Sequence, residues 1–429
     1  MRKLSPGLTV NNSGGAGKGS VILMGEDAWN PAGSAGFPEE LSPVAGKEGL
    51  GAFCFFSPFD DRTFPGNGYI TRNVCDDAAL FFHVTMNTNQ SLNSRGSHIA
   101  WVDFLRILAC FLVVLAHCCD PFVGSFDGSF NFKSAVFWGS LVRPCVPLFA
   151  MISGVLLFPV TLEMGAFYSR RLKRVLVPLI VWSLALPLLY FGYFAAGVQT
   201  SSPNIVMDTY TWSATVGKLY TFFFNFNYDT TPLWYVYMLV GLYLFMPIMS
   251  AWLTQARRKD VKIFLGIWIF SMTLPYIQML APALGYEGNY GNMGILGVCD
   301  WNPYGMFYNF SGFLGYMVLA HYLTKYPLAW SWKKTLSITI PFFLIGFAVT
   351  FFGFLETQKH FPGQYSKLEV LWYFSGINVF LMTFAIFAVV SRLRIKAGPV
   401  LSKVAALTFG VYLCHFFFVQ CSYDFVNFI

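Results

Sequence analysis

The chain has 429 residues, 55% of them hydrophobic and 11% charged, with a mean hydropathy of +0.54. A soluble globular domain carries about 25% charged residues, so the composition excludes a water-solvated surface and makes lipid the main solvent. The net charge of +7 does not signal nucleic acid, because the basic residues cluster in short loops between apolar runs and form no binding stripe.

Residues 1–96 differ from everything after them. They are rich in Gly, Ser, Pro and Asn, as in NNSGGAGKGS, and no apolar run there approaches the ~20 residues that a spanning helix needs. No signal-peptide h-region follows the basic start. The stretch reads as a low-order extension. It is either a cytoplasmic tail or sequence upstream of a true start at Met86, which leaves MNTNQSLNSRGSH before the first helix. Residues 97–429 form the second, transmembrane domain. Nine cysteines follow no metal-ligand spacing, and neither a disulfide framework nor a metal site is expected.

Apolar runs of spanning length occupy 99–119, 135–158, 175–196, 232–252, 261–283, 302–323, 334–355, 368–391 and 402–421. The aromatic stretch LYTFFFNFNY at 219–228 is too short to cross and reads as an interfacial or re-entrant helix. With the N-terminus inside, the cytoplasmic loops hold Arg170, Arg171, Lys173, Arg174, Arg257, Arg258, Lys259, Lys325, Lys333, Lys334, Arg392, Arg394 and Lys396. The outer loops hold Asp120, Asp127 and Lys133, then Asp208, Lys218 and Asp229, then Glu287 and Asp300. Positive charge on one side throughout sets the orientation as N-terminus in and C-terminus out. The fold class is an all-α polytopic bundle.

Charged side chains inside a span cost about 2.5–3.5 kcal/mol each and need a partner, a wet cavity or a function. The first span, AWVDFLRILACFLVVLAHCC, carries Asp103, Arg106 and His117. At 100° per residue the last two fall within about 60° of Asp103, on one helix face, and Arg106 and His117 are about 16 Å apart along the axis. This places Asp103 and Arg106 at the cytoplasmic entrance and His117 near the outer face. Imidazole is the side chain best suited to proton transfer near neutral pH. In the second span, Arg143 stands beside Pro144 and Pro147, which break the helix locally; it either lines a cavity or sits at the outer interface. Ser153 and Gly154 permit close helix contact. The RRLKR run before the third span is a positive-inside anchor or a phosphate-binding patch. The stripe fits an enzyme site, or the solute path of a polytopic transporter or flippase.

The run D-x-L-R-(ten residues)-H in VDFLRILACFLVVLAHCC resembles the first-helix signature of the membrane-bound acyltransferase 3 family. PLFAMISGVLL, FYSRRLKRVLVP, LWYVYMLVGLYLFMPI and the tail TFGVYLCH match in order, over about residues 97 to 420. The fourth looks especially like bacterial O-acetyltransferases of the enterobacterial common antigen type. The resemblance implies acetyl transfer from cytoplasmic acetyl-CoA to a hydroxyl of an envelope or surface polysaccharide, or of a lipid-linked sugar, in the bacterial inner membrane. It implies His117 as the essential histidine, Arg106 as its paired arginine and Asp103 as the acidic partner. Arg143, Arg171 and Arg174 correspond to the family's arginines and are expected to bind the donor. Trp234 and His415, in the matched stretches, are expected at the acceptor. Pro232 stands where members often have a His, and a tenth helix usual in the family is not found before Ile429. His117 is then a general base or a transient acyl acceptor.

Overall fold

The computed structural model describes residues 99–224, 226–285, 294–299 and 302–428. The extension at 1–96, Met86 included, lies outside the described residues. Helix α1, Ala100–Val123, runs one turn past the apolar run that predicts it and ends at Gly124, so Asp120 belongs to the helix and not to a loop. Helices α2 (Phe130–Leu141) and α3 (Cys145–Leu157) share one span and are separated at Val142–Pro144. Ser129 caps α2 by accepting from the Phe132 N–H. Pro147 falls in the first turn of α3, where its missing N–H leaves no helical bond unmade.

Helix α4, Met164–Ala195, has 32 residues and is therefore about 48 Å long. The hydrocarbon core is about 30 Å thick. Arg170, Arg171, Lys173 and Arg174 thus ride on the first turns of this helix as it projects beyond the apolar slab, and not on a preceding loop as predicted. The interfacial helix expected at 219–228 is displaced: α5 spans Trp212–Tyr220, capped by the Thr211 hydroxyl, and residues 221–224 form a turn. A 3-10 segment, Tyr228–Leu233, leads into α6, Trp234–Gln255. This segment is pinned to α5 by Lys218, whose Nζ is 2.7 Å from the fully buried Asp229 carboxylate. Tyr210 donates to the same carboxylate at 2.8 Å. Breaking a buried pair leaves an uncompensated charge and costs about 3–5 kcal/mol. Asp229→Ala is therefore expected to lower the thermal unfolding midpoint of the detergent-purified chain by several degrees.

Helices α7 (Arg258–Ser271) and α8 (Leu274–Leu280) follow, then α9 (Leu314–Lys325), α10 (Trp332–His360), α11 (Tyr365–Trp372), α12 (Ile377–Val390) and α13 (Pro399–Phe428). Among the described residues, eight helical segments are long and apolar enough to cross a membrane. The run at 302–323 is not one of them. Only its second half is α-helical; Gly305–Phe310 is 3-10, and Gly305 and Gly312 have φ of +48° and +80°, which interrupt the helix.

The direction of α13 restores a ninth crossing. Ser402 donates to Asp103, the Cys110 thiol to the Thr408 carbonyl, and His415 packs on His117. The offset between partners stays near 298 residues along the whole contact, so α1 and α13 run parallel. Parallel first and last spans require an odd number of crossings. Helix α9 supplies the missing one: Trp268 lies against Gly315 and Arg258 donates to Tyr322, which sets α9 antiparallel to α7. A twelve-residue helix can serve because it is enclosed by protein, with Tyr316, Met317, Val318 and Ala320 all fully buried. Large apolar side chains on the outer helices face outward instead, among them Phe111, Leu344, Phe352 and Leu407, as lipid contact requires.

Candidate active site

The parallel seam between α1 and α13 organises the polar residues. Asp103, Cys110 and His117 are spaced seven apart, two helical turns, and so return to nearly the same face. At the first of these levels, Arg106 Nη1 is 3.5 Å from Asp103 Oδ1 and Ser402 donates to Oδ2 at 3.4 Å. At the third, His117 lies within ring contact of His415 and Phe416, with centroids 5.1 and 5.2 Å apart. Between Asp103 and His117 lie about 21 Å of helix. The two polar ends therefore sit at different depths of the bundle.

His117 has a carboxylate partner that the sequence reading missed. Its Nδ1 is 2.6 Å from Oδ2 of Asp120, one turn further along α1. A carboxylate only accepts, so Nδ1 carries the hydrogen and Nε2 keeps its lone pair. The imidazole is thereby fixed as a base with a defined direction. The signal was present as H-x-x-D, the i,i+3 spacing of a helix, but it counts only once the helix is known to continue past residue 119. Asp103, the predicted acidic partner, pairs with Arg106 and lies nearly four turns from His117.

Towards the Asp103 end, Arg171 of α4 and Arg106 share a neighbour in Tyr243. Arg171 is half-buried, and its Nε is buried with no hydrogen-bond partner. Arg106 and Arg171 both lie within electrostatic reach of Tyr243, and Arg170 and Arg174 within reach of Arg171. Arg174 itself is exposed. Like charges gathered around an unsatisfied guanidinium nitrogen favour an anion, and the fork geometry of Arg suits phosphate oxygens.

Arg143 is not part of that cluster. It sits at the α2–α3 break, 9% exposed, with its guanidinium 3.8 Å above the Trp372 ring and 5.4 Å from Phe374. Stacked cation–π contacts of this kind help to hold a desolvated guanidinium, and Glu369 acts on it electrostatically. Phe374 stacks in turn on Trp234 at 5.5 Å. Trp234 follows Pro232, whose carbonyl accepts from Tyr412 on α13, one turn before His415. Arg143, Trp234 and His415 are thus linked by an aromatic chain at the His117 end. Trp372, Phe374 and Tyr412 complete this end; as ordinary aromatic residues of apolar runs they gave no signal in the sequence.

A family model described as an acyltransferase domain matches residues 99–429. The chain belongs to the acyltransferase 3 family. No curated protein and no solved structure matches it. A membrane acyltransferase needs a group that can take a proton from a hydroxyl and a place for an acyl donor. The fixed imidazole of His117 at one level and the arginine cluster at the other are the two features of this acyltransferase that suit those tasks.

Proposed function

We propose that this acyltransferase moves an acetyl group from acetyl-CoA to a hydroxyl of an envelope or surface polysaccharide, or of its lipid-linked sugar precursor. We place it in the inner membrane of a bacterium with the N-terminus cytoplasmic, which puts the arginine cluster on the side where acetyl-CoA is found. The observation that carries the reading is His117, held by Asp120 through Nδ1, on the same helix as Arg106; in the neutral ring this leaves Nε2 as the base. A donor that is anionic at one end and reactive at the other suits this division. Arg106, Arg171 and Arg174 would hold its phosphates, and the buried unpartnered Nε of Arg171 is the atom that most needs such a partner. The thioester supplies an activated acyl carbon when the donor is bound.

The protein's own part is proton transfer and orientation. Nε2 of His117 takes the proton of the acceptor hydroxyl as its oxygen attacks, a contribution of about 10²–10⁴ in rate. Asp120 balances the imidazolium that results. Trp234 offers an apolar ring face at the same end, of the kind on which a sugar ring can rest.

Membranes containing the protein, supplied with acetyl-labelled acetyl-CoA, should incorporate base-labile label into envelope polysaccharide. Incorporation equal to that of membranes lacking the protein would refute the reading. Loss of a charge-assisted hydrogen bond is worth about 1.5–3 kcal/mol, roughly ten- to a hundredfold in affinity. Arg171→Ala should therefore raise KM for acetyl-CoA by about that factor while leaving the acceptor KM in place. Initial rates over a matrix of both substrates check this.

A further inference from the structure

One buried titratable group is left unexplained by this account. His415 is 4% exposed, and its Nδ1 lies 2.6 Å from the backbone carbonyl of Tyr412. A carbonyl only accepts, so Nδ1 carries the hydrogen and Nε2 is a lone pair. That Nε2 is buried and has no hydrogen-bond partner. Buried polar atoms are nearly always paired, and an exception calls for a physical reason. The neighbour is His117, whose ring centroid is 5.1 Å away at 44°. Two neighbouring imidazoles, each with Nδ1–H tied to an acceptor, thus have no hydrogen to share between their Nε2 atoms while both rings are neutral.

We propose that His415 is the proton-accepting partner of His117, so that the two imidazoles work as a pair holding one proton. The inference rests on the reading of His117 as the base for a hydroxyl acceptor. As the acceptor reacts, its O–H bond breaks and the proton goes to Nε2 of His117. The oxygen's electron pair forms the new C–O bond to the acyl carbon. The pair held in the C–S bond leaves on the thiolate. The proton passes to Nε2 of His415, away from the alkoxide that would reclaim it, and returns through His117 to the thiolate. No oxidant or further reactant is needed. A second proton would place two imidazolium charges side by side in a low-dielectric interior, which caps the pair at one.

Other titratable and charged groups stand near the pair. Asp120 is engaged by His117. Asp229, from the segment before α6, is neutralised by Lys218. Asp424 on α13 is bonded by Gln420, Thr200 and Tyr193. Glu369 acts electrostatically on Arg143, and Cys118, Cys119, Cys145 and Cys414 are free thiols; the Arg143 guanidinium and the phenols Tyr190, Tyr228 and Tyr412 keep their charge state near neutral pH.

The test uses the full chain labelled with ¹⁵N-histidine in lipid nanodiscs, followed by NMR between pH 5 and 8. His117 and His415 should together take up a single proton, and His415→Gln should change the His117 titration. Two independent one-proton curves, each unmoved by replacing the other residue, would overturn the pairing. This readout needs no substrate, so it decides the pairing even if transfer to polysaccharide fails. In the transfer assay, His415→Gln should lower kcat at least tenfold with both KM values within twofold, since Gln keeps polarity but binds no proton. Added imidazole should restore rate to His415→Gly. Unchanged kcat, or parallel rises in both KM values without imidazole rescue, would reduce His415 to a structural role.

Discussion

His117→Gln is expected to lower acyl transfer by about 10²–10⁴, the range a positioned general base contributes, with insertion and thermal stability retained. Asp120→Asn should fall in the same range. Its amide can still accept from Nδ1–H, but it cannot balance an imidazolium, and an amide that turns its NH₂ toward the ring would favour the wrong tautomer. Asp103→Asn should do less. Asp103 touches Arg106 at 3.5 Å and Ser402, nearly four helical turns from the base, so its removal loosens donor binding and leaves proton transfer intact. The ordering is the content of the prediction. Initial rates for the three variants, with size-exclusion profiles to verify folding, check it directly. Equal losses at positions 103 and 120 would mean that the two carboxylates share one role, which the distances do not allow.

How much of this could be read from the sequence follows from the range of each interaction. The spans were legible because an apolar run of spanning length is a local property, and eight of the nine expected runs correspond to long helices. Their ends were not. Asp120 and Pro121 look like the start of a loop, yet α1 continues through both to Val123, and this one extra turn supplies the partner of His117. The arginines before the third span looked like a loop anchor, whereas α4 carries them as helix. Helix termini depend on caps and on neighbouring segments, which composition does not report. The break at Pro144 was legible from proline alone. The placement of Arg143 was not, because Trp372 ends a helix, and Phe374 lies in the turn after it, some 230 residues away. His415 stood in a matched stretch, but its packing on His117 depends on the first and last helices being parallel. That relation follows from the number of crossings. The seven-residue spacing of Asp103, Cys110 and His117 was visible, but Cys110 read as a small buried hydrophobe, and the seam it belongs to became apparent only beside Thr408.

Gly154→Ala is expected to cost about 1–3 kcal/mol or more, the usual range for inserting a methyl group into a full interior. A Cβ built there would stand 2.3 Å from the Met317 carbonyl oxygen and 2.6 Å from its Cα. These are backbone atoms of α9, so no side-chain rotation relieves the overlap, and α3 and α9 must separate. Helix association in lipid gains little from hydrophobic burial and relies on close packing of this kind. Helix α9 is also the shortest element assigned a crossing, held in place by the surfaces of its neighbours more than by contact with lipid. Gly241→Ala is the matched control. It lies within α6 with no atom inside 4 Å of the added Cβ, and should be neutral or stabilise by about 0.5–1 kcal/mol through helix propensity alone. Tryptophan-fluorescence melts of both variants in the same detergent give the comparison. If Gly154→Ala melts with the control, α3 and α9 are not in backbone contact. The enclosure that lets a twelve-residue helix carry the chain across would then lose its basis, and with it the ninth crossing that keeps α13 parallel to α1 and His415 beside His117.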